Sequence, residues 1–496
     1  MIFDRERPAR LIRWALLPLI LIIATTARLW DLKSGVPHAV GIDEPLVVDH
    51  GLRILRTGDW NPHIFNYPAL VIYFQAAIDI VRFLWGALAG EWSSLDGFSI
   101  AAVYGADRLA VALIGVATVW LTYRLGVELG SRRVALFAGA QMAVRPMHVR
   151  ESHFVLTDVP MTALVVLAAW CALRAGRLRT IRAYAWAGAV CGFAAAAQYV
   201  GCVAFVAVIV AWLLNDLRSL DRGFKIGAAA GAAVVAFLIA APYTLLDLPS
   251  FLDGVASLLA QFAGPSGTGD PAWLLYAKHL WSDGSIPLTL ALIAIPLVLV
   301  RGPARAWAPV IAFGAAYFYV LSSHAHPFGS SVLPLLPAEC LLSSAAVSEL
   351  LALSGLVTAL SRPAVQRVLL AVAVVTLLYG PTAAIVRWLE VSKRPDTRTI
   401  AADWLINGIP KKSRVAVENS GPTYLDAAGF QVVATEVLFN HDAAWYRERA
   451  DYLLISSGDL TRYGDLLGTG STVFQISPTS QRLGPPIRIV RITRIP

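Results

Sequence analysis

Three carboxylates stand out by type and position. Asp43 and Glu44 are adjacent in Gly41-Ile-Asp43-Glu44-Pro-Leu-Val-Val-Asp49-His50, and Asp158 ends the run Arg150-Glu-Ser-His-Phe-Val-Leu-Thr-Asp158. Each sits at the edge of an apolar run. A carboxylate within hydrogen-bond reach of a hydroxyl can take its proton as a general base. An acidic pair in a loop is most often a solvated pair, so composition alone does not single these out. Two features do. The loop after the pair carries Trp60, Asn61, Pro62, His63, Tyr67 and Pro68, residue types that build a shaped surface. Asp158 lies at the mouth of an apolar run, where an acid is costly and marks function. The expectation is that these acids meet over the outer face of a helical membrane bundle and carry out a transfer reaction there.

The elements that must position them follow from composition. Of 496 residues, 57% are hydrophobic and 15% charged, with a mean hydropathy of +0.62. Soluble chains carry roughly 25% charged residues, and apolar runs of about 17–25 residues mark membrane-spanning helices. The net charge of +8 comes mostly from short loops between apolar runs, which is membrane orientation and not a nucleic-acid surface. Cys171, Cys191, Cys202 and Cys340 all fall inside apolar runs without paired spacing, so they read as small buried hydrophobes.

Arg5, Arg7, Arg10 and Arg13 precede the first span, about 14–30, and put the N-terminus in the cytoplasm. The start resembles a signal peptide, but many spans follow, so it reads as an uncleaved helix. The Asp43-Glu44 loop is then outside. The stretch 68–90 is long enough to cross, yet Asp79 and Arg82 interrupt it. If it crossed, every later basic loop would be inverted, so it is expected to lie along or dip into the outer surface. The spans expected after it are 104–125, 133–149, 158–175, 183–197, 200–214, 226–247, 286–300, 306–322, 332–354 and 368–388, about eleven in all with the first. They leave Arg124/Arg132/Arg133, Arg174/Arg177/Arg179/Arg182, Arg218/Arg222/Lys225, Arg301/Arg305 and Arg362/Arg367 inside. The run 183–214 must cross twice, with its turn at Gln198-Tyr199 and short, irregular or tilted legs.

Residues 248–285 are expected as an outer loop with an amphipathic piece at Phe251–Phe262. Its stretch Gly264-Pro-Ser-Gly-Thr-Gly269 reads as a loop tip and not as a phosphate loop. From about 390 the chain turns polar. A helix starts at Asp396 or Thr397 and stops at Gly408 and Pro410. Five β-rich runs follow: 414–417, 431–434, 452–456, 472–476 and 487–492. The expected fold is an α-helical polytopic membrane domain, residues 1–390, with outer loops 31–103 and 248–285. A small extracytoplasmic α/β domain, 391–496, completes it.

At this point the chain resembles a family. Asp43-Glu44 in the first outer loop, Asn66-Tyr67-Pro68-Ala69-Leu70, Glu151-Ser152-His153 through Asp158, and the tail Asp396-x-Arg398-x-x-Ala401-x-x-Trp404 leading to Ile409-Pro410 are together similar to the membrane glycosyltransferases of the C-type (GT-C) fold. More specifically, the pattern resembles the protein O-mannosyltransferase and aminoarabinose transferase group, glycosyltransferase family 39. The resemblance implies a sugar donor on a polyprenyl phosphate, an acceptor that is a protein, lipid or glycan, and a single inverting displacement outside the cytoplasm, in a bacterial inner (plasma) membrane. It implies that Asp43 is the base, Glu44 shapes the acceptor site, and Asp158 is a second essential acid that orients the acceptor or a divalent cation. Tyr67, Glu151 and His153 belong to the matching motifs and would contact substrate, as would Arg150 just ahead of the third motif.

Several cations of the family pattern are absent. His153 stands where the family has arginine, Val71-Ile72 follow the Pro-Ala-Leu motif where a lysine is common, Gln198-Tyr199 replaces Lys-Tyr, and Ser330-Ser331 precedes Val332-Leu333-Pro334 in place of Arg-Tyr. Arg145, Arg150, Lys278, His279, His324 and His326 are the candidates to hold the donor phosphate instead. Two other readings fit the span count. A transporter or lipid carrier would place ionisable sites near the bilayer midplane and show paired repeats; the acids here are at loop edges and no repeat is visible. A non-catalytic scaffold would use the exported domain to bind a partner.

Overall fold

The computed structural model describes residues 6–263, 270–323, 328–358 and 360–493. The helices in order are α1 Glu6–Leu29, α2 Glu44–Thr57, α3 Leu70–Leu88, α4 Ile100–Glu128, α5 Arg132–Ala143, α6 Pro146–Glu151, α7 Asp158–Leu178, α8 Ile181–Ala197, α9 Phe205–Asp216, α10 Arg222–Ala240, α11 Tyr243–Leu246, α12 Leu248–Ala263, α13 Ala272–Val300, α14 Ala304–Ser322, α15 Leu336–Ser354 and α16 Pro363–Ser392. Among the described residues, nine helices are long and apolar enough to cross a membrane, and Ala15–Leu29, Ile181–Ala197 and Leu248–Ala260 are shorter apolar helices. The chain is an integral membrane protein.

Several expected boundaries moved for identifiable reasons. The expected span 133–149 is two helices, α5 and α6. Pro146, at the first position of α6, forces Arg145 into extended backbone (φ −76°, ψ 115°). The expected span 226–247 stops at Ala240, ahead of Pro242. The span expected to begin at 286 begins at 272, because α13 continues through a kink at Gly284 (φ −179°, ψ 84°) into the expected outer loop. The break at Gln198 holds: α8 ends at Ala197, Gln198 is extended, and a 3₁₀ turn, Tyr199–Ala204, leads into α9. The stretch 68–90 is a regular helix over 70–88. The piece at Phe251–Phe262 lies in α12, and Gly264–Gly269 fall outside the described residues.

The chain forms two compact units: Met1–Trp30 with Val47–Val81 and Asp107–Ile385, and Asp31–Leu46 with Arg82–Ala106 and Val386–Pro496. In the first, α8 and α10 approach closely. Gly188 and Gly192, four residues apart, face Ala229 and Ala233, and a Cβ on either glycine would run into the opposing carbonyl oxygen. Helices in lipid gain nothing from burying apolar surface against one another, so close packing of small residues holds them.

In the second unit, α17 Thr397–Gly408 is capped by Asp396, whose carboxylate accepts from the Arg398 amide at 2.8 Å. The strands are β1 Arg414–Glu418, β2 Gln431–Thr435, β3 Tyr452–Ile455, β4 Gly470–Ile476 and β5 Ile487–Ile492, in the order β2-β1-β3-β5-β4. β2, β1 and β3 are parallel, and β5 and β4 add antiparallel. Alternation splits the core over both faces. Val415, Val417 and Leu454 pack with Ala401, Ala402 and Leu405 of α17. Ala416, Leu453 and Ile455 pack with Tyr446 of α18 Ala443–Arg449 and Leu466 of α19 Gly464–Leu467. The central strands β1 and β3 are buried on both sides and read as short, nearly continuous apolar runs, whereas β2 and β4 lie at the edges and are largely exposed.

Candidate active site

Asp43 and Asp158 belong to different compact units, and each has its own setting. Asp43 precedes the first residue of α2, and its side chain is exposed. Desolvation by the surrounding protein raises its carboxyl above the usual value, the direction that makes a carboxylate a better base near neutral pH. Glu44 is fully buried, and its Oε2 accepts from the Gly41 amide at 2.6 Å. The two acids of the pair thus differ: Glu44 fastens the turn from inside and Asp43 projects from it. Upstream, the Arg398 guanidinium donates to the carbonyls of Val40 (2.6 Å) and Ala39 (3.3 Å).

Asp158 opens α7 and is 7% exposed. Its backbone carbonyl accepts from the Thr162 hydroxyl at 2.7 Å, and its carboxylate is within Coulombic reach of Tyr317. In the α6–α7 joint, Arg150 donates through Nε and Nη2 to one oxygen of Glu151, at 2.9 and 2.8 Å, with the arginine side chain 47% exposed. His153 is buried. Its ring nitrogens lie 2.8 Å from the Val149 carbonyl and 3.1 Å from that of Trp30. Desolvation lowers its pKa to about 4, so the ring is neutral near pH 7 and donates to one of these two oxygens.

Arg145 has a different setting. It is buried between Asp283 Oδ2 (Nε, 2.6 Å) and Glu339 Oε1 (Nη2, 2.5 Å), and Asp283 Oδ1 accepts from the Met147 amide at 2.7 Å. One guanidinium bound to two carboxylates is occupied, which removes Arg145 from the candidates for the donor phosphate. The cluster ties the α5–α6 break to the α13 kink: a Cβ at Gly284 would meet the guanidinium at 2.5 Å. Sequence reasoning named Arg145 but missed Asp283 and Glu339. The signal was there, since Glu339 interrupts the apolar run 332–354 and charges inside such runs are rare. Arg28 was also missed. It is fully buried and holds the Ala143 and Met142 carbonyls and His148 Nδ1, each at 3.0 Å.

Of the remaining candidates, Lys278 pairs with Asp270 at 2.6 Å in an exposed ion pair, and His279 packs against Gly329. Tyr67 is half-buried just ahead of α3. His324 and His326 fall outside the described residues. Asp79 of α3 is fully buried beside Gly51 of α2. Among the described residues, no three His, Cys, Asp or Glu side chains gather so as to hold a metal ion.

Residues 94–245 match the family model of dolichyl-phosphate-mannose-protein mannosyltransferases. A comparison with curated protein sequences returns no significant match. Among solved structures, the chain is similar to ArnT from Cupriavidus metallidurans bound to undecaprenyl phosphate, with a TM-score of 0.62 at 15% identity over 96% of this chain and 97% of that one. It is also similar to the oligosaccharyltransferase of Archaeoglobus fulgidus in the apo form, with a TM-score of 0.60 at 13% identity, covering 96% of this chain and 74% of that one. AglB of the same archaeon, in complex with an inhibitory peptide and a dolichol-phosphate, matches with a TM-score of 0.58 at 12% identity over 90% of this chain and 70% of that one. The chain is thus an integral membrane protein of the GT-C fold, similar to the protein O-mannosyltransferase and aminoarabinose transferase group.

Proposed function

We propose that this chain is a glycosyltransferase that moves a sugar from a polyprenyl-phosphate donor to an acceptor hydroxyl or similar group on the extracytoplasmic side. One observation carries the reading. Asp43 projects from a fastened turn with its carboxyl pKa raised by desolvation, in a chain that shares its fold with an ArnT captured on undecaprenyl phosphate. Asp43 takes the acceptor proton as the acceptor oxygen attacks the anomeric carbon. The bond from that carbon to phosphate breaks in the same step, with inversion. Polyprenyl phosphate leaves as an anion, so its departure needs charge stabilisation and not a strong acid, and the transition state has oxocarbenium character. Asp158 serves as the second essential acid, and Glu44 shapes the acceptor site. Arg150, half-exposed and eight positions ahead of Asp158 in the sequence, is the cation we assign to donor phosphate, with Lys278 as the alternative.

The arginine distribution supports a loop between the first two apolar helices and a tail domain that lie outside the cytoplasm, and the family resemblance suggests a bacterial inner membrane. Mass analysis of envelope glycans, glycolipids and glycoproteins from cells with and without the chain tests the activity. A sugar-modified species present only with the chain, and lost with Asp43→Asn at equal expression, is expected. The same species surviving in the Asp43→Asn cells would overturn the assignment of the base.

A further inference from the structure

The tail motif Asp396-x-Arg398 and the segment 37–44 pack in one compact unit. Asp396 does two jobs. It caps α17, and its two oxygens receive Nε and Nη2 of Arg398 at 3.0 and 3.1 Å. This fork fixes the guanidinium plane, and the guanidinium's other hydrogens reach the Val40 and Ala39 carbonyls. Val40 is fully buried and Ala39 nearly so. The next residue, Gly41, gives its amide to Glu44. Consecutive hydrogen bonds therefore run from the cap of α17 to both sides of Asp43.

A second contact lies at the sheet. β1 leads on to β2 at one edge while its other neighbour, β3, leads on to β4 and β5 at the opposite edge, so the connections after β1 and β3 leave in opposite directions. Sheets of this kind open a crevice beyond the carboxyl ends of the strands at such a switch point, and ligands occupy it. Here the loops after β1 and β3 meet through Ser420 and Ser456, whose hydroxyls are 2.7 Å apart. The loop after β1 is taken up by the chain's own first outer segment. His38 Nδ1 donates to the Thr423 carbonyl (2.8 Å), the Thr423 amide donates to the His38 carbonyl (3.1 Å), and the Thr423 hydroxyl donates to the Pro37 carbonyl (2.5 Å). Beside it, the Tyr424 and Tyr104 hydroxyls are 2.9 Å apart.

We propose that the tail domain is a positioning clamp for the Asp43 turn, with Arg398 and Thr423 as positioning residues. The proposal rests on the reading of Asp43 as the base. Amide hydrogen exchange on the full-length chain in lipid nanodiscs tests the clamp without an acceptor. Arg398→Lys keeps the charge but loses the fork, and Thr423→Val loses the hydroxyl far from α17. Each is expected to speed exchange of peptides covering 38–46 by about tenfold, with β1 and β3 still protected. Thr423→Ser is expected to restore protection. The same variants should lower the amount of sugar-modified product in cells, and Thr423→Ser should rescue it. Unchanged exchange at 38–46 in both variants overturns the clamp. Faster exchange with undiminished product overturns the positioning role. Full product from Asp43→Asn would instead sink the reading beneath it.

Discussion

Two regions bury a carboxylate by opposite means. In the helical unit, Asp283 and Glu339 share Arg145, so the charges are held by a cation from another helix. In the tail, Glu418 at the end of β1 is buried and held by uncharged donors. It accepts from the Leu438 amide (2.9 Å), the Ser456 amide and hydroxyl (2.6 and 3.0 Å) and the Tyr463 hydroxyl (2.7 Å). The difference follows from the backbone. A helix uses all but its first-turn amides internally, so the carboxylates of the bundle lean on a side chain from another helix and in doing so tie helices together, Asp283 adding one such free amide, that of Met147. The ends of parallel strands leave amides pointing at one place, and a carboxylate there is satisfied locally.

That contrast can be broken in steps of decreasing size. Arg145→Met strands two buried carboxylates at once. Removing one partner of a buried pair costs about 3–5 kcal/mol, so thermal unfolding in detergent should fall steeply, and a variant as stable as the parent would contradict the cluster. Glu339→Gln leaves the Asp283 contact and should cost less than Arg145→Met. Glu418→Leu leaves four donors without an acceptor, at about 1–3 kcal/mol for each buried group left unpaired. The loss should appear as faster hydrogen exchange in β1 and β3 while peptides of α8 and α10 stay protected. Exchange rising equally in both would mean that the carboxylate does not act locally.

The exposed end of the scale is Asp59. The His63 side chain, then the Asn61 amide, hold its carboxyl down to about 2. A depressed pKa gives stability that is present above the unfolded value and lost as pH falls through the folded one. Any contribution from Asp59 should therefore vanish only near pH 2, and His63→Ala should move its titration upward when followed by NMR. An unmoved titration would deny the pair.

The same contrast explains what was legible. The tail strands and α17 were readable almost to the residue, because turn residues and alternation specify them locally. Ile487–Ile492 was read with its observed ends, and Asp396 is the cap. The helices were readable as apolar runs, but their breaks were not all so. Pro146 and Pro242 redirected two expected spans, and α13 runs on through Gly284 because Asp283 has a buried partner more than a hundred residues earlier in the sequence. Asp43 was singled out by its neighbour and its loop. The hold that Arg398 has on Ala39 and Val40 was not readable, since it spans more than 350 residues (|i−j| 358 and 359). A family motif named Arg398 and only the fold gave it contacts.

The account stands most directly on the carboxyl group at position 43. Membranes carrying equal amounts of parent and Asp43→Asn chain should differ in the rate of sugar-modified product by at least about a hundredfold, the usual contribution of a general base, while α2 and the segment before it keep their exchange protection. Equal rates in the two membranes would contradict it.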